Sequence, residues 1–232
     1  MTALSVVQNA CQKLGIARPT VAFASTDNQV LQLCALANDE LRDLSRAHSW
    51  TRLLKQQTFT TVAQAVQTGA VPTDFNWYMN DTMWNRGTQV KVGGPVSPED
   101  WQAFQAISLL AIPNAVFRFR GGDILIYPTP AAGQTCAYEY GTTYTVLSAA
   151  SASQTEYLAD TDTAVLDETI VALGVRWRFL KSKGMDYSED FRSYEIAKQQ
   201  AISRDGGKQK VYLGGYPRNP WNFNIPQSNW PG

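Results

Sequence analysis

The chain has 232 residues, of which 44% are hydrophobic and 17% are charged, so it can bury a core of its own in one domain or in two small ones. Twenty Lys and Arg residues balance twenty Asp and Glu residues, which argues against a basic surface that grips nucleic acid or anionic lipid. Sparse charge combined with seven tryptophans and ten tyrosines indicates large protein–protein contacts instead.

Two amphipathic helices are predicted at the N-terminal end. Residues 4–14 carry apolar side chains at helical spacing, and Gly15 ends the pattern. A second helix is predicted to begin at Thr26, which forms a capping box with Gln29, and to run to about His48.

The middle of the chain has the composition of strands, broken by glycine and proline. One short helix is predicted over residues 98–108, because Ser97 is a good N-cap and a proline follows it. Strands are predicted at residues 52–62, 88–92, 116–120, 124–127 and 134–144, and a loop at residues 148–155.

Helical patterns return after Asp160. One helix is predicted to end at Gly184, with acidic side chains near its start and basic ones near its end, as suits the helix dipole. Asp186 and Glu189 are predicted to cap a further helix that ends at about Arg204.

The helices at the two ends of the body cannot bury their apolar stripes alone, so we expect them to pack together. The predicted fold class is therefore α+β: a helical bundle of about four helices built from both ends of the body, with an inserted β-rich region and an extended C-terminal arm. The predicted domains are residues 1–50 and 158–207 for the two halves of the helical domain, 51–157 for the β-rich insertion and 208–232 for the arm.

The C-terminal arm is the most informative segment. Its glycines and prolines exclude a long helix, yet its aromatic content is too high for a solvated tail. We expect the arm to lie on a surface, which is either its own body, as a staple, or another subunit, which we favour. The predicted interface residues of the arm are Tyr212, Tyr216, Trp221, Phe223, Ile225 and Trp230.

Catalytic and metal-binding patterns are absent from the sequence. The only histidine, His48, lies at the end of an apolar helix, where a packing or capping role is expected. The three cysteines form no C-x-x-C motif, so no zinc site or disulfide framework is predicted. We predict no catalytic residue, no cofactor and no metal. The acidic residues that a metal cluster would use are better explained by a helix start: Asp160, Asp162, Asp167 and Glu168.

Two further groups of residues are weighed as binding surfaces. The basic side chains Arg176, Arg178, Lys181 and Lys183 are predicted to lie at a subunit interface, in solvent or along a channel. The aromatic side chains Trp77, Tyr78 and Trp84 are candidates for a carbohydrate site, with core packing or subunit contact as the alternative.

Three segments of the chain form a joint pattern. The first carries residues 72–75, 80–81, 83–84, 94–97 and Trp101; the second carries residues 117–123, 126–130, Gly133 and 138–140; the third carries residues 160–162, 166–168, Gly174, 177–181, Gly184, Tyr187, Asp190, Tyr194 and 204–207. In order and content these segments resemble the head-to-tail adaptor (head-completion) proteins of tailed bacteriophages, which include the tail tubular protein A-like adaptors. The resemblance covers about residues 1–207.

This resemblance implies a structural virion protein without enzymatic activity. Such adaptors form a ring, commonly a dodecamer, between the portal protein and the tail or nozzle protein in the virion neck. The ring extends the channel through which genomic double-stranded DNA passes without sequence-specific binding. We therefore expect assembly in the host cytoplasm and no membrane contact. The alternatives are a tail-tube or gatekeeper subunit lower in the tail, and a carbohydrate-binding module.

Overall fold

The structure is a computed structural model that describes residues 2–106 and 114–206. It shows a mixed α+β protein. The predicted arm and its six interface residues lie outside the described residues. Within the described part, none of the helices is long and apolar enough to cross a membrane. The helices there are α1 (Ala3–Leu14), α2 (Asn28–Ala47), α3 (Pro98–Ala106), α4 (Glu168–Ser182) and α5 (Ser188–Arg204).

The strands are short, and most are shorter than a typical strand of five or six residues. They are β1 (Leu54–Thr60), β2 (Val66–Gln67), β3 (Phe75–Tyr78), β4 (Trp84–Asn85), β5 (Val90–Lys91), β6 (Val116–Arg120), β7 (Asp123–Tyr127), β8 (Thr135–Thr142), β9 (Val146–Leu147), β10 (Ser153–Gln154) and β11 (Thr163–Ala164).

The described residues divide into two compact units. The helical unit contains residues 2–53 and 142–206, and the β unit contains residues 54–106 and 114–141. Residues 142–157, which we predicted as part of the β-rich insertion, thus group with the helices, where β9 pairs with β10 and β11.

Helix α4 is the centre of the helical unit, because it packs against α1, α2 and α5. Its buried side chains include Ile170, Val171 and Val175, which join apolar side chains of α1 and α2 in one core. Trp50, which follows α2, is buried in this core, and its indole N–H donates to the carbonyl of Leu44 at 2.7 Å. The core explains why α4, whose own sequence is only weakly amphipathic, forms a stable helix.

The β unit is built around β8, which pairs antiparallel with β1 along its length and also with β4, beyond which β5 forms the sheet edge. Strand β3 pairs with β8 as well. The hairpin β6–β7 pairs with β2 in a second sheet. Aromatic side chains of both sheets, among them Phe117, Tyr138 and Tyr140, form the core of the unit.

The helices and the hairpin confirm the sequence predictions, with local corrections. The N-cap of α2 is Asp27 rather than Thr26, since the Asp27 carboxylate accepts from the amide of Gln29 at 2.8 Å. Helix α4 begins only after Asp167. Asp186 does not cap α5 at its N-cap position, which is Tyr187, but binds the amide of Ser188. Strand β10 lies within a predicted loop.

Candidate interaction surfaces

The acidic residues before α4 bind backbone amides of their surroundings. The Asp160 carboxylate accepts from the amides of Ala22, at 3.0 Å, and of Phe23, at 2.8 Å, and so ties the loop before α4 to the connection between α1 and α2. Asp162 is buried and accepts from the amides of Leu158 and Ala159, both at 2.8 Å.

The next two acidic residues also act on the backbone. Asp167 is the N-cap of α4 and accepts from the amide of Thr169 at 2.9 Å, while Glu168 accepts from the amide of Ala164 at 3.1 Å. These bonds satisfy backbone donors around the helix start. In residues 2–106 and 114–206, no group of three or more His, Cys, Asp or Glu side chains is arranged to hold a metal ion.

His48 packs at the junction between α2 and the end of α5. Its Nε2 atom lies 3.3 Å from Oδ2 of Asp205, and its ring meets the Trp50 indole edge-on at 5.1 Å. The Thr51 hydroxyl donates to Asp205 at 2.5 Å. Because that hydroxyl is bonded to the carboxylate rather than to the imidazole, the trio lacks the nucleophile–base contact of hydrolytic sites.

The four basic residues in the last turns of α4 and at its C-cap do not form one patch. Arg176 pairs with Asp190 of α5 at 2.5 Å, and Arg178 pairs with Glu40 at 2.7 Å and with Asp43 at 2.8 Å, both in α2. The two arginines therefore point to different neighbouring helices, as their spacing predicts.

Lys181 and Lys183, by contrast, are exposed. The Lys181 ammonium lies 5.7 Å from the Trp177 ring centre, and the Lys183 ammonium lies 5.1 Å from that of Phe179. Of the four predicted residues, only these two lysines thus keep cationic groups open to solvent, each beside an aromatic ring.

Sequence reasoning missed the buried charge at the centre of the helical unit. The Glu40 side chain is fully buried, and burial raises its pKa above the ordinary 4.5, although Tyr194 and Arg178 oppose that rise. Burial alone would lower the pKa of Arg178, but the charges of Glu40 and Asp43 outweigh it and raise that pKa. The available signal was Gly174, a glycine inside a helix, which often marks close packing.

Aromatic side chains remain partly exposed where α4 meets α5. The Trp177 ring lies 5.1 Å from that of Phe191 and 6.2 Å from that of Tyr187. Tyr187 is 37% exposed, Phe191 39% and Met185, between the helices, 57%. Aromatic and methionine side chains are enriched at protein interfaces.

A second partly exposed aromatic surface lies on the outer face of the β8 sheet. Trp84 is paired across the strands with Ala137, so the two side chains share a face. A β-carbon built on Gly141 would fall 2.2 Å from the Trp77 indole, which places this indole over the same face, because positions 137 and 141 are an even number of residues apart. We call this surface, with Trp77, Trp84, Ala137, Glu139 and Gly141, the tryptophan face.

Tyr78 lies elsewhere, on the core side of the β unit. Its ring contacts those of Phe117, at 5.2 Å, and Tyr138, at 5.9 Å, and its hydroxyl accepts from the amide of Met83. The predicted three-ring carbohydrate site is therefore reduced to two rings, Trp77 and Trp84, because adjacent strand residues point to opposite faces.

Comparison with known proteins supplies the family. No similar protein was found among curated sequences. A family model described as SU10 adaptor protein matches residues 1–216, which is nearly the whole chain and includes both units. The match agrees with the resemblance to phage head-to-tail adaptors that the three segments carry. The chain therefore belongs to the SU10 adaptor protein family and is a structural adaptor protein of a bacteriophage virion.

Proposed function

We propose that this protein forms a homo-oligomeric ring, a dodecamer by analogy with similar adaptors, between the portal and the tail in the virion neck. The family match over residues 1–216 is the observation that carries this proposal. In the ring, each copy contacts its neighbours, the portal protein and the tail or nozzle protein. The ring extends the channel through which the DNA leaves the capsid, and its copies assemble in the host cytoplasm.

The charges of the chain support a channel that DNA traverses without tight binding. Phosphate contacts add up to strong, salt-dependent affinity. The chain has no net charge. Arg176 and Arg178 are held in ion pairs with neighbouring helices, which leaves them less available to phosphates.

The exposed aromatic side chains support a protein that works in contact with others. Tyr187 and Phe191 are exposed beside Trp177 in the helical unit, and the two indoles of the tryptophan face are partly exposed in the β unit. Tryptophan and tyrosine dominate the binding energy of protein interfaces.

Mass photometry of the purified protein, alone and mixed with the portal protein of the same phage, tests the proposal. We expect a closed ring in the mixture, even if the free protein is a monomer. A chain that stays monomeric with the portal at every ratio would contradict ring formation. The position of the ring in the particle, seen by electron microscopy, distinguishes an adaptor at the portal from a tail-tube or gatekeeper subunit further down.

A further inference from the structure

The tryptophan face has the features of a groove for an extended peptide. Trp84 lines a shallow cavity of about 350 Å³ together with Gln56, Asp81, Arg86 and Glu139. Glu139 lies between the positions that Trp77 and Trp84 cover, and it is exposed. The Trp77 indole packs with its Nε1 atom against Gly141, and the Trp84 indole borders the cavity, where it can stack on a ligand.

Among the residues that the structure describes, the charges on this face leave one carboxylate and one guanidinium for charged groups of a partner. Asp81 and Lys91 pair at 2.7 Å and so neutralise each other. Glu139 and Arg86 form no ion pair with any residue that the structure describes. A carboxylate between two indoles suits a guanidinium group, which can stack on an aromatic ring and pair with the carboxylate.

The C-terminal arm of this chain has the matching chemistry. Residues 208–232 contain no acidic residue, and their only charged residues are Lys208, Lys210 and Arg218, so residues 1–207 carry a net charge of −3 against +3 on the arm. The arm includes Pro217-Arg218-Asn219-Pro220, the spacing of a polyproline II ligand. Such segments dock in aromatic-lined grooves, where their free carbonyl groups accept hydrogen bonds.

We propose that the tryptophan face binds residues 217–220 from the arm of a neighbouring copy, with Arg218 paired to Glu139. The assignment to a neighbour rests on the proposed ring, which brings copies side by side. Pro217 is eleven residues after Gly206 in the sequence, and an extended segment of eleven Cα–Cα steps spans about 36 Å. This reach matches the diameter of a compact unit of about 100 residues, so the segment can reach the next copy.

Cysteine cross-linking in the full-length protein tests the assignment, because the three native cysteines are buried. One preparation carries Gln56→Cys at the cavity and a second carries Asn219→Cys in the arm. Mixed with portal and oxidised mildly, they are expected to give a disulfide-linked dimer. The matched control replaces Gln56→Cys by Thr68→Cys, which is exposed in the turn after β2 and away from the cavity, and should give no dimer.

Charge exchange tests the pairing within the same assay. Glu139→Lys is expected to reduce the yield of linked dimer at least about tenfold, and Arg218→Glu in the arm partner is expected to restore it. Trp84→Ala is expected to cause a similar loss without recovery, because a buried indole at an interface is a typical hot spot.

Four outcomes would overturn the proposal. No linkage between the two preparations, with linkage only within single chains of a third preparation that carries both cysteines, would place the arm on its own body. A ring that assembles normally without any linkage would preserve the proposed function and remove this docking site. A yield of linked dimer that Glu139→Lys does not change would show that the ion pair between Glu139 and Arg218 does not form. Binding of an oligosaccharide that Trp84→Ala abolishes, with no linkage, would assign the tryptophan face to carbohydrate.

Discussion

Gly174 of α4 lies directly against Glu40 of α2: a β-carbon built on the glycine would stand 2.2 Å from Cδ of the glutamate. The two helices approach closely because this position has no side chain. The approach buries the Glu40 carboxylate beside Arg178, which binds it at 2.7 Å. A buried charge thus joins two helices that are far apart in the sequence.

Gly174→Ala should destabilise the protein by about 1–3 kcal/mol, because the new methyl group has no space beside Glu40. In an exposed helix interior the same change would stabilise by about 1 kcal/mol. The sign of the change in urea unfolding free energy therefore reports the contact. Ser193→Ala, at an exposed position of α5, is the matched control and should be nearly neutral or stabilising. A stabilised Gly174→Ala variant would show that the helices can separate without cost.

Glu40→Gln should gain stability relative to the unchanged protein as the pH rises. Burial raises the pKa of Glu40 above 4.5, so the folded state holds this proton more tightly than the unfolded state. The stability that Glu40 contributes is therefore present below its unfolded pKa and is lost as the pH rises through its folded pKa. Urea unfolding of both proteins at several pH values from about 4 to 7 measures the difference.

Asp39→Asn serves as the control for this pH series, because Asp39 is exposed on the same helix. Its effect should change much less with pH. If the free energy of unfolding of Glu40→Gln instead decreases relative to that of the unchanged protein as the pH rises, the ion pair with Arg178 outweighs the desolvation of the carboxylate.

Asp160→Ala should cost about 1–3 kcal/mol, because the amides of Ala22 and Phe23 lose their acceptor. Hydrogen exchange should show faster exchange at these two amides, while the amides of the α4 centre keep their protection. Thr161→Ala, at the exposed neighbouring position, should leave both amides unchanged. Equal exchange rates in the two variants would show that the loop is held by other contacts.

Truncation after Gly207 should leave the body folded but weaken ring or portal association, because glycine and proline separate the arm from the helices. Circular dichroism measures the fold and mass photometry the assembly. In the full-length chain, Trp221→Ala and Trp230→Ala should each cost about 2 kcal/mol of association or more if they are anchors. An unfolded truncated chain would mean that the arm staples its own domain.

The long elements were predictable because their signals are local. Residues 4–14 and the stretch from Thr26 to His48 show helical periodicity and end signals, and the structure places α1 and α2 there within two residues. Strands β4, β9, β10 and β11 have two residues each, too few for any periodicity. They form because a neighbouring strand pairs with them, and the local sequence does not indicate which strand that partner is.

By itself, the sequence determined the helices, the β6–β7 hairpin, the α+β class and the resemblance to phage adaptors, because each depends on residue spacing or on segment order along the chain. Only the tertiary structure decided that Glu40 is buried against Gly174 and that Trp77 and Trp84 share a sheet face while Tyr78 does not. Glu40 and Arg178 are 138 residues apart. Contacts of that separation are selected by the packing of whole elements, so a local signal such as Gly174 indicates close packing but does not identify the partner residue.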